Sequence, residues 1–380
     1  MESKVISESL TDANNSGMWK YPDKQQFFQK RGSGNNWAHG YCVHGPKAQH
    51  EIMNMIRKEV EKCDHFGGFL TMMSLAGGTG SGVGAHITQC LRDEFPHCFI
   101  MNQVVWPYRM GEVIVQNYNA VLTLSHLYQT TDCILTMDND SLHEICARLM
   151  AVKSVSFRDI NRVISHKMSS VLLPVYSGLD SSLWNSLTRN HIGQMLETLV
   201  PHPEYKLLTL RNIPQMSKNA LLYSSYQWHG LIKHLYQMIV ANAAYEEGIN
   251  WQIKVSADKR DYNKCLANLL ILRGRELENC DVSAFSQPQL YVPWTPAESR
   301  FQTWCHPREF DSYEKSATLL SNSQAPVETM TAVVDKAWTM FASRAYVHQY
   351  LKHGMTEEGF VDSFATLEQV VANYKNLHSC

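Results

Sequence analysis

The chain has 380 residues, 44% of them hydrophobic and 18% charged, with a formal net charge of -2. That balance excludes a disordered polyampholyte and predicts two or three packed domains, and it provides no overall field to draw nucleic acid or an anionic membrane. No stretch approaches 18 consecutive apolar residues, and the polar opening Met1-Glu2-Ser3-Lys4 is no signal peptide, so an intracellular chain without membrane insertion is expected.

In chain order, the first half alternates helical and extended patterns. Glu51 to Lys62 reads as a helix, Phe66 to Leu75 as a strand, and Ala85 to Phe95 as a helix. Phe99 to Val105 reads as a strand, Ile114 to Tyr128 as a helix, and Cys133 to Met137 as a strand. Such alternation predicts a parallel α/β sheet with ligands bound beyond the carboxyl ends of its strands. A longer helix is predicted from Phe157 to Leu173, where Pro174 stops it. The pattern then becomes mixed α+β, with strands at Tyr205 to Leu210 and Leu266 to Arg273 and a helix from Gly230 to Tyr245. At the end, Trp338, Phe341, Ala345 and Val347 form one face of a helix that Gly354 can terminate. Phe360, Phe364, Leu367, Val371 and Tyr374 form the stripe of another, and most of these residues read as core. The expected organisation is an incomplete nucleotide domain over 1–155, a core helix over 156–175, an α+β domain over 176–325 and a helical region over 326–380.

The ten cysteines are spread singly, without Cys-x-x-Cys pairs, and the 17 histidines never form His-x-x-x-His beside an acid. Neither a disulfide framework nor a protein-held metal centre is suggested, which leaves only Mg carried with a nucleotide.

The strongest chemical signal is Ala76-Gly77-Gly78-Thr79-Gly80-Ser81-Gly82, which follows an apolar run and opens a helical pattern. Glycines let backbone N–H groups approach an anion, Thr79 and Ser81 add hydroxyl donors, and the helix N-terminus adds partial positive charge. No lysine follows the last glycine, which excludes a Walker loop, and Gly80, Gly82 and Gly84 lack the Rossmann spacing. Taken alone, a glycine-rich turn without a ligand is the plainer alternative. Gly32-Ser33-Gly34-Asn35-Asn36-Trp37-Ala38 is a second small-residue turn able to present N–H groups to an anion. Glu112, beyond a strand, is placed to accept from a ribose hydroxyl. In Asp138-Asn139-Asp140-Ser141 and Phe157-Arg158-Asp159-Ile160-Asn161, the carboxamides can pair with a purine edge and the ring can stack on its face. The plainer alternatives are helix caps for Asp138 and Asp159 and a core position for Phe157.

The order and spacing of these segments resemble the tubulin family over nearly the whole chain. The resemblance implies a tubulin-type Rossmann-like GTP-binding domain, an α+β intermediate domain and a C-terminal helical hairpin, with GTP or GDP and Mg as cofactors. It implies phosphate contacts for Ser33, Gly34, Asn35, Gly77, Gly78, Thr79, Gly80 and Ser81. Glu112 matches the ribose-binding acid, and Gln116 stands where many tubulins have glutamate. Asn139 and Asn161 match the guanine readers, Phe157 the stacking position, and Glu2 the remnant of a Mg-associated acid. Other tubulins, microtubules and centriolar proteins are the implied partners.

Counting back from Leu199-Val200-Pro201-His202-Pro203, Gln194 occupies the position whose carboxylate in other family members activates a neighbouring subunit's GTP. An amide orients water but is no base, and Glu197, one turn on, is the nearby substitute, so weak or no hydrolysis is expected. Gly111 to Asn119, Leu122 to Tyr128, Arg211-Asn212-Ile213-Pro214 and Ala345 to Tyr350 are worded most like the delta branch of the family. That branch implies a role in centrioles and basal bodies, supporting triplet microtubules and cilia, in the cytoplasm, the centrosome and the nucleus. The opening of the chain matches only the tail of the family's first strand-loop-helix-strand segment, so the resemblance implies the expectation that roughly 70 residues completing the sheet are absent. A poorly folded, nucleotide-free chain acting through its intermediate and C-terminal parts is therefore the competing expectation.

Overall fold

The computed structural model describes residues 3–22, 25–29, 31–111, 113–178, 190–221, 223–224, 227–256 and 261–378. The chain runs α1 (Ser3–Ser16), a π-helical turn (His39–His44), α2 (Gly45–Val60), β1 (Phe69–Ser74), a second π-helical turn (Thr79–Val83), α3 (Gly84–Glu94), β2 (Ile100–Trp106), α4 (Gln116–Thr130), β3 (Cys133–Asp138) and α5 (Asn139–Glu144). There follow α6 (Phe157–Leu172), β4 (Tyr176–Ser177), α7 (His191–Leu199), β5 (Leu207–Ile213), α8 (Lys218–Leu221) and α9 (Trp228–Val240). The last part holds β6 (Cys265–Gly274), α10 (Ala297–Arg300), β7 (Phe301–His306), β8 (Lys315–Ser323), α11 (Val327–Ala342), α12 (Val347–Leu351) and α13 (Glu357–Lys375).

Two compact units result. One comprises 1–102, 110–131 and 332–368; the other comprises 103–109, 132–331 and 369–380.

In the first unit the Phe69 N–H at the start of β1 donates to Phe99 O at 2.7 Å. Met53, Cys90, Leu91 and Ile100 form a small core between α2, α3 and β2. Helix α4 is buried nearly all round, from Gln116 and Tyr118 through Tyr128. Its sequence accordingly has no clear apolar stripe, as expected of a helix enclosed on every side. The rings of Tyr118, Tyr350 and Phe360 meet edge to face with centroids 5.2–5.5 Å apart, and the Tyr118 hydroxyl donates to Ala345 O. These contacts pin α12 and the start of α13 to α4. The single helix expected through Trp338 and Val347 is interrupted: α11 ends at Ala342, and Arg344 and Tyr346 take left-handed φ of +55° and +61° before α12 begins. Trp338 is 44% exposed, whereas Phe360, Phe364 and Leu367 are buried as the stripe predicted.

In the second unit the strand order is β2-β3-β5-β8-β6-β7-β4. β3 pairs with β5 and β6 with β7 in parallel, while β8 runs antiparallel to both β5 and β6. Helix α9 packs its apolar face, Leu231, Leu235 and Ile239 included, on β5, β6 and β8. It stops five residues before the predicted Tyr245. Asn242 takes φ +52°, and the Ala243 N–H returns to Met238 O in a Schellman arrangement. Strand β8 was not predicted, because it is buried on both faces yet largely polar: Ser316, Thr318, Ser321 and Asn322 are all enclosed. Asn322 alone donates to Leu199 O and Tyr205 O and accepts from the Tyr374 hydroxyl. Among the described residues no helix is long and apolar enough to cross a membrane.

Candidate functional site

In the first unit, two loops that the sequence singled out lie against each other. Ser33 is 2% exposed, and its hydroxyl lies 3.3 Å from that of Thr79. The turn closes with Asn36 N–H donating to Ser33 O, and Gly34 and Asn35 both take left-handed φ, +58° and +54°. Opposite, β1 delivers Leu75 to Gly78, and the chain turns through Thr79–Val83 straight into α3. The Ser81 hydroxyl donates to Gly77 O, which tightens that turn.

The two loops are joined by a residue whose role the sequence reading did not assign. Asn119 on α4 is fully buried; its amide donates to Asn35 O and to Ala76 O, each at 2.8 Å. Its Oδ1 accepts from the Trp37 N–H at 3.0 Å and the Tyr350 hydroxyl at 2.6 Å. Two donors and two acceptors exhaust a carboxamide's main capacity. The available signal was an Asn set among Tyr118, Ala120, Val121 and Leu122.

Glycines let these backbones meet. A Cβ on Gly78 would fall 2.5 Å from Asn36 O, and one on Gly82 would fall 2.4 Å from Trp37 O. Gly78 is buried, and among the described residues the N–H groups of Gly77 and Gly78 have no acceptor. Gly77 is only half-buried, but a buried, unpaired N–H such as that of Gly78 is rare in folded proteins and marks a place where an outside acceptor fits. The loop therefore suits an anionic oxygen.

Of the residues tied to the ribose, Glu112 lies outside the described residues, as does Glu2, the candidate Mg ligand. Gln116 is 7% exposed, and its amide is folded against Gly111, where a Cβ would collide with Oε1 at 2.0 Å.

The base-directed residues belong to the second unit. Asp138 ends β3 and caps α5, accepting from Asp140 N–H and from the Ser141 hydroxyl; burial pushes its carboxyl up. Asn139 is the first residue of α5. Ser156 and Asp159 form a capping box at the start of α6, and the Ser156 hydrogen bonds hold the Asp159 carboxyl below its ordinary value. Asp138 is therefore an N-cap, and Asp159 is the reciprocating acid of a box whose N-cap is Ser156. Phe157 is 69% exposed, so it is not core, and Asn161 stands exposed one turn further along α6. Helix α5 packs on α6, which brings the elements bearing Asn139 and Asn161 together. On α7, capped by Asn190, Gln194 and Glu197 are both exposed and three residues apart on the outer face.

The profile of the Tubulin/FtsZ family GTPase domain matches residues 1–147. The chain is 52% identical to the tubulin delta chain of Canis lupus familiaris over 389 aligned positions, covering 99% of this chain and 85% of that one. The tubulin delta chain of Homo sapiens is 52% identical with the same coverage. A tubulin beta chain of Cicer arietinum is 28% identical over 93% of this chain and 75% of its own length. This chain belongs to the tubulin family. As a delta-like tubulin it is a guanine-nucleotide-binding cytoskeletal protein, and its mixed sheet flanked by helices is the tubulin α/β fold.

Proposed function

We propose that this tubulin holds the phosphates of GTP or GDP with Ser33, Gly34, Asn35 and the Gly77 to Ser81 loop, and reads guanine with Asn139 and Asn161 while Phe157 stacks on the ring. Glu112 and Gln116 take the ribose, and Mg accompanies the nucleotide with Glu2 as its protein-side acid. The observation that supports this most directly is the pair of Asn119-clamped loops with unpaired N–H groups at Gly77 and Gly78. In the cell the protein associates with other tubulins and microtubules and serves centrioles and basal bodies, supporting triplet microtubules and cilium formation. The delta-chain likeness supports that assignment.

The deciding experiment is acid release of nucleotide from the purified chain, followed by chromatography. Near one GTP or GDP per chain is expected. An empty protein would remove the nucleotide reading and leave an interaction module. Phe157→Ala tests the stacking role. Because the ring is mostly exposed, stability should stay within about 0.5 kcal/mol, while guanine nucleotide affinity should fall about tenfold, the lower range of base–aromatic stacking.

Gln194, exposed on α7, supports slow hydrolysis in a neighbouring subunit because an amide cannot accept the proton of the attacking water. Gln194→Glu should raise GTP turnover in mixed assembly with other tubulin by on the order of tenfold or more. Unchanged turnover would remove α7 from the reaction.

A further inference from the structure

We infer that the cavity between α6, β3 and β5 is an anion site, separate from the nucleotide residues, that takes one small oxyanion of sulfate or phosphate size against Lys167 and Arg211. The cavity has a volume of about 200 Å³ and is lined by Thr136, Asp138, Lys167, Thr209, Arg211 and Glu328 among others. That is below the range of pockets for drug-sized ligands and suits a small ion.

Lys167 is 4% exposed, and its ammonium makes a single hydrogen bond, to Leu210 O at 3.3 Å, leaving two donors. Arg211 is equally buried. Its guanidinium is fixed by bonds to Ala243 O, Thr209 Oγ1 and Asn242 Oδ1, which use three of its five N–H groups. Among the described residues neither cation has a carboxylate partner. Two enclosed positive groups without a counter-ion are costly, and an oxyanion would supply the missing charge and acceptors together.

The other charged groups facing the cavity are already committed. Asp138 caps α5. Arg109 and Glu328 pair with each other at 3.8 Å, both well exposed. On the other elements packed against α6, Lys315 of β8 pairs with Glu276, Arg148 pairs with Glu144, and His143 contacts the Tyr108 hydroxyl. Burial, with the Arg211 charge added, pulls the Lys167 amine down to about 7. Its charge, and hence the site, is gained as pH falls through 7.

The probe is sulfate, which stays dianionic throughout, titrated calorimetrically into the chain in excess GDP and Mg so that phosphate loops are filled. Expected is one saturable sulfate whose affinity weakens at least tenfold between pH 6 and pH 8.5 and is lost in Lys167→Met. Selective ¹³C labelling of lysine gives a second measurement on the unmutated protein: the Lys167 titration midpoint should move up by about one unit or more in sulfate. No saturable binding, or binding indifferent to pH and to Lys167→Met with an unmoved midpoint, would mean an adventitious ion only and overturn the inference.

Discussion

Asn119→Ala is expected to lower unfolding free energy by about 3–6 kcal/mol and to empty the protein of nucleotide. Four groups depend on the amide. The Trp37 N–H and the Tyr350 hydroxyl meet Asn119 in buried surroundings, so removing it strands both, at about 1–3 kcal/mol each. The Asn35 and Ala76 carbonyls are partly exposed and can recruit water, so their loss adds less. Against a total stability of roughly 5–15 kcal/mol, the change is large. Denaturant midpoints measure it. Tyr350→Phe, which deletes one hydroxyl and leaves the amide bridging both loops, should cost only about 1 kcal/mol and retain nucleotide. If Asn119→Ala melts within about 0.5 kcal/mol of the parent, the amide does not set the loop spacing.

This residue also marks where the sequence stopped being readable. The glycine loop, the second small-residue turn and the strand-helix alternation were legible because each is a local pattern: apolar runs of strand length, glycines in a cluster, a proline after a helix. β1, β2, β3, α3 and α6 fall within three residues of their predicted bounds for that reason. What holds the two loops together is non-local. Asn119 lies 84 and 43 residues from the carbonyls it serves and 231 from Tyr350. No periodicity reports such a bond, and an Asn in a helix that also carries Gln116, Asn117, Thr123 and Ser125 reads as one more solvent-facing residue. Strand β8 failed for a related reason, since Ser321 and Asn322 look like turn residues until the partners that satisfy Asn322, Leu199, Tyr205 and Tyr374, are known. The break between α11 and α12 depends on left-handed backbone at Arg344 and Tyr346, side chains that carry little preference for it. Phe157 was ambiguous between core and stacking because the first turn of a helix has only one residue per face to show a period.

Gly77 and Gly78 are neighbours in sequence with different reasons for being glycine, and alanine at each should separate folding from binding. At Gly78 the new methyl would lie 2.5 Å from Asn36 O, 2.7 Å from Asn36 N and 2.7 Å from Ser33 Cβ. Two of these are backbone atoms that cannot rotate away, so the loops must part, and parting stretches the 2.8 Å bonds through which Asn119 joins them. Overpacking of this kind costs about 1–3 kcal/mol, with the strained Asn119 bonds in addition. Gly78→Ala should therefore lose stability and nucleotide together. At Gly77 the nearest atom to an added methyl is Asn35 Oδ1 at 3.7 Å, ordinary contact distance, and the backbone is not in the left-handed region. The folded chain gives no reason for glycine there, so Gly77→Ala should melt within about 0.5 kcal/mol of the parent. If a phosphate lies against that face, the methyl occupies the approach its oxygens need, and guanine nucleotide affinity should drop by on the order of tenfold or more while stability holds. Undiminished nucleotide content in Gly77→Ala would place the phosphates elsewhere and leave the glycines of this loop explained by packing alone.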